Sequence, residues 1–285
     1  MRGRVCVVTG ATSGIGRATA LALARRGATV VMMARDAARG ARVQEELRRE
    51  SGNDAIEVAR VDLASLASVR EAAAGIAARF PAVHVLIDNA GVHAMRRRAS
   101  ADGFDLTIAV NHLGPFLLTL LLVPRLRAAA PSRIVVVTSM FERFARLADL
   151  DAATFRADRA PGAFRSYFRS KLANLLFAFE LGRRLEGSGI SVHAVHPGLV
   201  ATSLMRELPA WMRNSYEWLL PAADAGARPL VALATAPLPT GSGARYVGPN
   251  GREARASSRA RDAALAARLW EVSIELTGAP AIRTV

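Results

Sequence analysis

The amino-acid sequence predicts an α/β fold in which helices cover both faces of a doubly wound parallel sheet of six to seven strands. Short apolar runs alternate with helical patterns along the first two thirds of the 285-residue chain, and this alternation is typical of parallel sheets. The predicted strands are continuously apolar rather than alternating, as expected when both sheet faces are buried. A hydrophobic content of 51% is ample for such a core.

The predicted elements alternate in order along the chain. The strands are Val5–Thr9, Thr29–Ala34, Ile56–Arg60, Val83–Asn89, Arg133–Ser139 and Ser191–His196, with a short seventh at Ala244–Val247. The helices are Gly14–Arg26, Ala37–Glu50, Leu66–Ala78, Ala101–Arg127, Ser166–Glu186 and a last one near Ser257–Thr277. We predict a single domain over residues 1–285, with an insertion at 140–163, a lid at 202–221 and a C-terminal tail at 251–285.

A glycine-rich segment joins the first strand to the first helix and reads Thr-Gly-Ala-Thr-Ser-Gly-Ile-Gly over residues 9–16. The glycines allow a tight turn and a close approach to a pyrophosphate, while the helix N-terminus offers free N–H groups. This context predicts a Rossmann-type dinucleotide site, and a glycine-rich turn without a ligand is the alternative. The predicted cofactor-binding residues here are Gly10, Thr12, Ser13, Gly14, Ile15 and Gly16.

The end of the second strand bears on the choice of cofactor. Dinucleotide folds that use NAD place an acidic residue there, against the ribose 2′-hydroxyl, whereas this chain has Ala34 followed by Arg35. An arginine can bind a 2′-phosphate through two hydrogen bonds, so we predict that NADP(H) is favoured over NAD(H). The alternative is that Arg35 is a surface arginine and Asp36 merely caps the next helix.

The only lysine of the chain, Lys171, lies four residues after Tyr167, while 37 arginines supply the other fixed positive charges. This choice indicates a site where a compact, titratable ammonium is needed. Residues four apart share one face of a helix, so the phenol and the ammonium point the same way. The pair can make tyrosine an acid or base near neutral pH, and a chance match is the alternative.

Five motifs occur in an order that resembles the short-chain dehydrogenase/reductase superfamily, in its single-domain branch. They are Thr-Gly-x-x-x-Gly-x-Gly, Asn-Ala-Gly, a serine at a strand end, Tyr-x-x-x-Lys and Pro-Gly, and the resemblance covers about residues 3–250. The segments 110–116 and 170–177, and the gap of 28 positions between Ser139 and Tyr167, resemble the retinol-dehydrogenase-like subgroup. That subgroup is broad, so the resemblance implies a scaffold and a chemistry rather than retinol as the substrate.

The resemblance implies a role for each matching residue. Tyr167 is the implied general acid in reduction and base in oxidation, and Ser139 the residue that orients the substrate oxygen. Lys171 is implied to hold the nicotinamide ribose and Asn111 a water that links Lys171 to solvent, although a structural hydrogen-bonding role is the alternative for Asn111. The remaining implied cofactor-binding residues are Asp62, Leu63, Asn89, Ala90, Gly91, Tyr167, Lys171, Pro197, Gly198, Val200 and Thr202. We expect Lys171 and the positive nicotinamide to lower the pKa of Tyr167 toward neutrality.

Composition limits the partners. The net charge of +14 favours an anionic partner, but the arginines are scattered, so no specific nucleic-acid partner is predicted. The single Cys6 excludes an internal disulfide, and the five histidines show no metal-ligand spacing, so no metal site is predicted. We see no secretory signal, and the most apolar stretch, Phe116–Val123, is shorter than the roughly 20 residues of a membrane span. The expected location is the cytoplasm.

The apolar side chains of the predicted lid favour a hydrophobic alcohol or carbonyl as substrate, and the resemblance implies a homo-oligomer. Three alternatives remain open. The first is reduction of an activated carbon–carbon double bond, which the same Tyr–Lys pair can protonate. A catalytically silent NADP-binding regulator is a second alternative, and a basic surface for nucleic acid or acidic lipid is the third.

Overall fold

Seven parallel strands form one sheet. The computed structural model describes residues 1–146, 150–198, 222–236 and 244–282. The strands are β1 Val5–Thr9, β2 Thr29–Ala34, β3 Ile56–Arg60, β4 Val85–Asp88, β5 Ser132–Val137, β6 Ile190–Val195 and β7 Arg245–Val247. Their order is β3-β2-β1-β4-β5-β6-β7, so the chain reverses direction across the sheet between β1 and β4 and opens a crevice at their carboxyl ends. The predicted fold class is confirmed.

Helices cover both faces of this sheet. One apolar layer contains α1 (Gly14–Ala24), α2 (Ala37–Ser51) and α6 (Ala223–Thr235). The other contains α3 (Leu66–Arg79), α4 (Leu106–Ala128) and α5 (Ala163–Arg184), with α7 (Ala263–Thr277) packed on α5. Neighbouring residues of one strand face opposite layers, as Cys6 and Val7 do. Both sides of each strand are therefore apolar, which explains the unbroken apolar runs in the sequence.

Several predicted boundaries differ from the structure because polar side chains fix the ends of helices. The predicted helix Ala101–Arg127 begins only at Leu106, since the Asp105 carboxylate accepts a hydrogen bond from the Thr107 N–H at 2.7 Å. The predicted helix from Ser257 begins at Ala263, where Asp262 Oδ1 accepts from the Leu265 N–H at 3.0 Å. Helix α6 was not predicted at all.

The predicted bounds of β1, β2 and β3 are confirmed, whereas those of the later strands differ from the structure by one or two residues at an end. The predicted Val83–Asn89 is Val85–Asp88, the predicted Arg133–Ser139 is Ser132–Val137, and the predicted Ser191–His196 is Ile190–Val195. The described residues of the predicted insertion form short 3₁₀ helices at Met140–Phe144, Ala152–Phe155 and Ala157–Arg159. The predicted lid lies outside the described residues.

Among the described residues, α4 is the one helix that has the length and composition to cross a membrane. The fold buries 89% of its most apolar 18-residue window, which is how the core helix of a globular domain behaves. The helix has 23 residues and is therefore longer than the apolar stretch Phe116–Val123 on which the sequence-based expectation depended. The length of the helix does not argue against a membrane span. The expectation of no membrane span stays a prediction.

A buried carboxyl group lies at the end of β4. The Thr119 hydroxyl of α4 donates to Asp88 Oδ2 at 2.8 Å, while Asp88 Oδ1 has no hydrogen-bond partner in the described part of the chain. Burial raises the pKa of Asp88 to about 7, and the bond from Thr119 opposes that rise. The folded protein therefore holds a proton on Asp88 that the unfolded chain, with its ordinary carboxyl, releases at lower pH.

This difference makes stability depend on pH. Between about pH 4 and the folded pKa of about 7 the folded state binds more protons, so stability falls as pH rises and levels off above that range. Asp88→Asn removes the titration. We expect the variant to match the wild type near pH 4 and to exceed its unfolding free energy by up to about 4 kcal/mol at pH 8.

Urea denaturation at a series of pH values measures this effect. The control is Asp54→Asn, the same substitution at an exposed aspartate. An Asp88→Asn curve parallel to the wild-type curve from pH 4 to pH 8 would show that Asp88 does not titrate in this way.

Candidate active site

The glycine-rich segment forms the floor of a cleft between β1 and α1. Gly10 and Gly14 adopt φ angles of +65° and +53°, which side chains other than glycine rarely take. A Cβ on Gly16 would lie 2.4 Å from both Asn89 Nδ2 and the Gly10 carbonyl oxygen. The first N–H groups of α1 follow Ser13, whose side chain makes no cap hydrogen bond to them. The close packing of this turn against β4 therefore requires glycine at these positions, and the segment lines the cleft.

Asn89 and Ala90 are held to this floor by Thr9. The N–H groups of Asn89 and Ala90 both donate to the Thr9 hydroxyl at 2.9 Å, and Asn89 Nδ2 donates to the Thr9 carbonyl at 2.9 Å. The Asn89 side chain thus fixes the end of β4 against the end of β1. Asn89 also lines the cleft, so a role at the cofactor site stays a prediction. The contact that the structure shows for its side chain is with Thr9.

Two arginines border the cleft where β2 ends. Arg35 is exposed and Arg39 is partly buried, and both line the cleft. Arg39 Nη2 donates to the Thr12 carbonyl at 3.2 Å, so it ties helix α2 to the glycine segment. Asp36 Oδ1 accepts from the Arg39 N–H at 2.9 Å, so Asp36 caps α2 as the alternative interpretation of this segment proposed. Sequence reasoning missed Arg39, although its position in the first turn of α2, four residues after Arg35, was a usable signal.

Helix α5 places Tyr167 and Lys171 on one face, one turn apart, where they are 8% and 4% exposed. Lys171 Nζ lies 5.6 Å from the centroid of the Tyr167 ring and donates to the Val137 carbonyl at 3.3 Å. The Ser139 side chain interacts with that of Tyr167 and acts to lower its pKa. Ser139 stands two residues beyond β5, as the N-cap of the 3₁₀ helix Met140–Phe144, and its Oγ accepts from the Phe141 N–H at 3.3 Å.

Burial sets the protonation of this pair. It raises the pKa of Tyr167 to about 12, and the hydrogen bond with Ser139 opposes that rise. Burial also lowers the pKa of Lys171 to about 8. The protein by itself thus shifts Tyr167 away from neutrality, opposite to the direction expected from the sequence, because both groups are removed from water and the charged form of each is disfavoured.

Asn111 lies in a π-helical turn of α4, Ala109–Leu113. Its Oδ1 accepts from the Val92 N–H at 2.7 Å, and its Nδ2 donates to the Val92 carbonyl and to Ser170 Oγ, both at 3.0 Å. A Cβ on Gly91 would lie 3.6 Å from both Asn111 Oδ1 and Lys171 Nζ, so the amide and the ammonium flank the same glycine. The structural hydrogen-bonding role is what this geometry shows, and the water relay stays a prediction.

The structure brings most of the predicted residues together around one cleft of about 370 Å³. Those that line it are Gly10, Thr12, Ser13, Gly14, Ile15, Gly16, Arg35, Asp62, Leu63, Asn89, Ala90, Gly91, Ser139, Tyr167, Lys171, Pro197 and Gly198. Asn111 lies behind the lining, while Val200 and Thr202 lie outside the described residues. Lining residues that sequence reasoning missed include Arg39, Val110, Thr138 and Phe141. The roles of all these residues stay predictions.

Comparison with known proteins agrees with this geometry. Residues 4–148, slightly more than half of the chain, match the sequence model of a family described as short chain dehydrogenase. The chain belongs to the short-chain dehydrogenase family. Members of this family bind a nicotinamide cofactor, and the cleft described above has the glycine-bounded backbone and the helix N-terminus that such a cofactor requires.

Relatives support membership of the retinol-dehydrogenase-like subgroup. The chain is 44% identical over 284 residues to dehydrogenase/reductase SDR family member 13 of Bos taurus, covering 98% of this chain and 74% of that protein. It is 40% identical over 281 residues to retinol dehydrogenase 11 of Homo sapiens, covering 98% and 87%. A solved structure of an uncharacterized Mycobacterium Paratuberculosis protein has a TM-score of 0.78 and 38% identity, covering 98% and 94%.

A side chain at Gly16 tests whether the close packing of the glycine segment is needed for cofactor binding. Gly16→Ala places a Cβ 2.4 Å from Asn89 Nδ2 and the Gly10 oxygen, so the loop must move. We expect a loss of about 1–3 kcal/mol in unfolding free energy and a severe loss of NADPH affinity, measured by thermal unfolding and by fluorescence titration. Gly75→Ala is the control, because a Cβ on Gly75 would have no atom within 4 Å. NADPH affinity in Gly16→Ala equal to that of Gly75→Ala would contradict a dinucleotide site at this loop.

Proposed function

We propose that this protein is an NADP(H)-dependent oxidoreductase that transfers a hydride between the nicotinamide and a hydrophobic carbonyl or alcohol, with Tyr167 as the general acid and base. The observation that supports it most is the meeting of Tyr167, Ser139 and Lys171 in the same cleft as the glycine segment. A phenol, a hydroxyl and an ammonium together suit the transfer of a proton to or from a substrate oxygen.

Carbonyl reduction requires a hydride at carbon and a proton at oxygen. Bound NADPH would supply the hydride. Tyr167 is protonated at neutral pH, since burial raises its pKa to about 12, so its O–H is ready to donate to the substrate oxygen. Ser139, which interacts with the same phenol when no substrate is bound, would turn its single hydroxyl proton toward that oxygen and fix its position. Such acid catalysis contributes roughly 10²–10⁴-fold in rate.

After the proton has left Tyr167, a phenolate remains in a buried site. The Lys171 ammonium, 5.6 Å from the ring centroid, would stabilise that negative charge. Burial lowers the pKa of Lys171 to about 8, so the ammonium is present at neutral pH and can also give up a proton. Asn111, on the same side of Gly91 as Lys171, would lie on the path that restores protons from solvent.

Four phenylalanines beside the cleft support a hydrophobic substrate. Phe141 and Phe144 come from the 3₁₀ helix after Ser139, and Phe164 and Phe168 come from the start of α5. Phe168 lies 5.8 Å from Phe141, 5.7 Å from Phe144 and 6.4 Å from Tyr167 between ring centroids. Phe144 and Phe164 are 57% and 55% exposed. This phenylalanine cluster offers an apolar surface next to Tyr167, and retinol, named for one relative, belongs to the chemical class that such a surface binds.

Arg35 and Arg39 support the choice of NADP(H). No acidic residue stands at Ala34, and the Asp36 carboxylate is engaged by the backbone of α2, which leaves it poorly placed to accept a ribose hydroxyl. Two guanidinium groups border the cleft instead. A 2′-phosphate there would neutralise them through charge-assisted hydrogen bonds.

Replacing Tyr167 by phenylalanine tests the proposed chemistry. The ring and its packing remain while the acid is lost, so we expect kcat to fall by about 10²-fold or more with NADPH affinity nearly unchanged. Steady-state reduction of a panel of apolar aldehydes and ketones measures this, alongside an NADPH titration. The matched control is Tyr246→Phe, because Tyr246 is also buried but lies in β7. Full activity of Tyr167→Phe would rule out its role as the acid.

Single alanine variants of the two arginines test the cofactor. Arg35→Ala should weaken NADPH binding about tenfold, as expected for the loss of an exposed charged hydrogen bond, and leave NADH binding unchanged. Arg39→Ala should weaken NADPH more strongly and NADH slightly, because Arg39 also holds the Thr12 carbonyl. Fluorescence titrations with both nucleotides measure these affinities, and the control is Arg42→Ala, an exposed arginine of α2. Equal losses for NADPH and NADH in Arg35→Ala would contradict recognition of a 2′-phosphate.

A further inference from the structure

The short helix after Ser139 is held by a residue 115 positions later in the chain. Glu142, in the 3₁₀ helix Met140–Phe144, is 1% exposed. Its Oε1 accepts a hydrogen bond from the Ser257 N–H at 3.0 Å, and its Oε2 accepts one from the Ser257 hydroxyl at 2.6 Å. One residue of the C-terminal region thus satisfies both carboxylate oxygens of a buried acid.

A second contact joins the same two segments, again with the C-terminal residue as the donor. Arg259 Nη1 donates to the Ala145 carbonyl at 2.9 Å and to the Arg143 carbonyl at 3.3 Å. Ser257 Oγ also accepts from the Ala260 N–H at 3.2 Å, so residues 257–260 form a fixed turn, here called the tail turn. The tail turn binds a side chain in the middle of the short helix and the carbonyls at its end.

The short helix is hydrogen-bonded to Ser139, which lines the cleft. The Ser139 carbonyl accepts from the Glu142 N–H at 3.1 Å, and the Ser139 hydroxyl accepts from the Phe141 N–H at 3.3 Å. Phe141 lines the cleft. A shift of Glu142 would therefore move both the hydroxyl that bonds to Tyr167 and an aromatic side chain of the phenylalanine cluster.

We propose that the tail turn positions Ser139 for the reaction through the contact between Ser257 and Glu142, which makes these two side chains positioning residues of the active site. The inference rests on the proposed function, in which Ser139 and Tyr167 hold the substrate oxygen. Charge-assisted hydrogen bonds to both oxygens of one carboxylate fix direction as well as distance. Apolar packing of the same volume would stabilise the fold as well or better, but would not fix the rotation of the short helix.

The cleanest test removes one hydroxyl. Ser257→Ala deletes the 2.6 Å bond and keeps the backbone bond to Glu142, while Ser258→Ala changes the neighbouring, exposed serine and serves as the matched control. Reduction of an apolar aldehyde with NADPH is measured at steady state, and hydrogen–deuterium exchange is followed for the peptide that covers residues 139–146. We expect Ser257→Ala to lose about tenfold in kcat, to keep its NADPH affinity, and to exchange faster in that peptide, with Ser258→Ala like the wild type.

A second variant tests the same contact from the side of Glu142. Glu142→Gln keeps the size of the side chain and removes its charge, so it should show the same pattern of lower kcat with unchanged NADPH binding. Because Glu142→Gln and Ser257→Ala break the same contact, the double variant should be no slower than the slower single variant. Additive losses would show that the two residues act separately and would overturn the inference.

Other outcomes separate this inference from the proposed function. A lower melting temperature in Ser257→Ala with wild-type kcat would mean that the contact only stabilises the fold, and the inference would fail while the proposed function stands. Absence of turnover by the wild type with every carbonyl tested would overturn the proposed function. In that case the hydrogen–deuterium exchange of Ser257→Ala still tests the contact. Exchange over residues 139–146 equal to that of the wild type would overturn the role of Ser257 in holding the short helix, whereas faster exchange would support it.

Discussion

One buried carboxylate, that of Asp105, joins the two helices that carry the candidate catalytic residues. Its Oδ1 caps α4, whose π turn holds Asn111, and its Oδ2 accepts from Arg169 Nη2 at 2.7 Å and from the Ser166 hydroxyl at 2.5 Å, both in α5. Arg169 is 0% exposed and also donates to the Thr154 carbonyl at 2.6 Å. Breaking such a buried pair leaves an uncompensated charge, at a cost of about 3–5 kcal/mol. The relative positions of Tyr167, Lys171 and Asn111 depend on this contact.

The electrostatics of the cleft follow from the same burial. A phenol and an ammonium that are both withdrawn from water each prefer the neutral form, which is why the pKa of Tyr167 is raised to about 12 and that of Lys171 lowered to about 8. Sequence reasoning considered the attraction between phenolate and ammonium and not the cost of desolvating them. In this arrangement the resting tyrosine is an acid, which suits carbonyl reduction. Alcohol oxidation would require additional positive charge near the phenol.

The sequence correctly indicated that several residues after strand ends meet at one cleft, because parallel strands bring their carboxyl ends to one edge. Gly10, Asn89 and Ser139 are such cases. Arg39 was missed because it begins a helix rather than ends a strand. Arg169 was missed because one buried arginine cannot be told from 36 others by composition. The start of α7 was misplaced because Ser257 binds Glu142 in place of a helix backbone, and no local pattern records a partner that far along the chain.

These differences follow a division within the cleft. The wall around the glycine segment is built from the first 91 residues, where short loops between neighbouring strands fix the geometry. The surface beside Tyr167 is assembled from segments far apart in the chain: the short helix after Ser139, the start of α5 and the tail turn. Because those segments contact each other through side chains, a change in any of them alters the surface beside Tyr167 without disturbing the glycine segment.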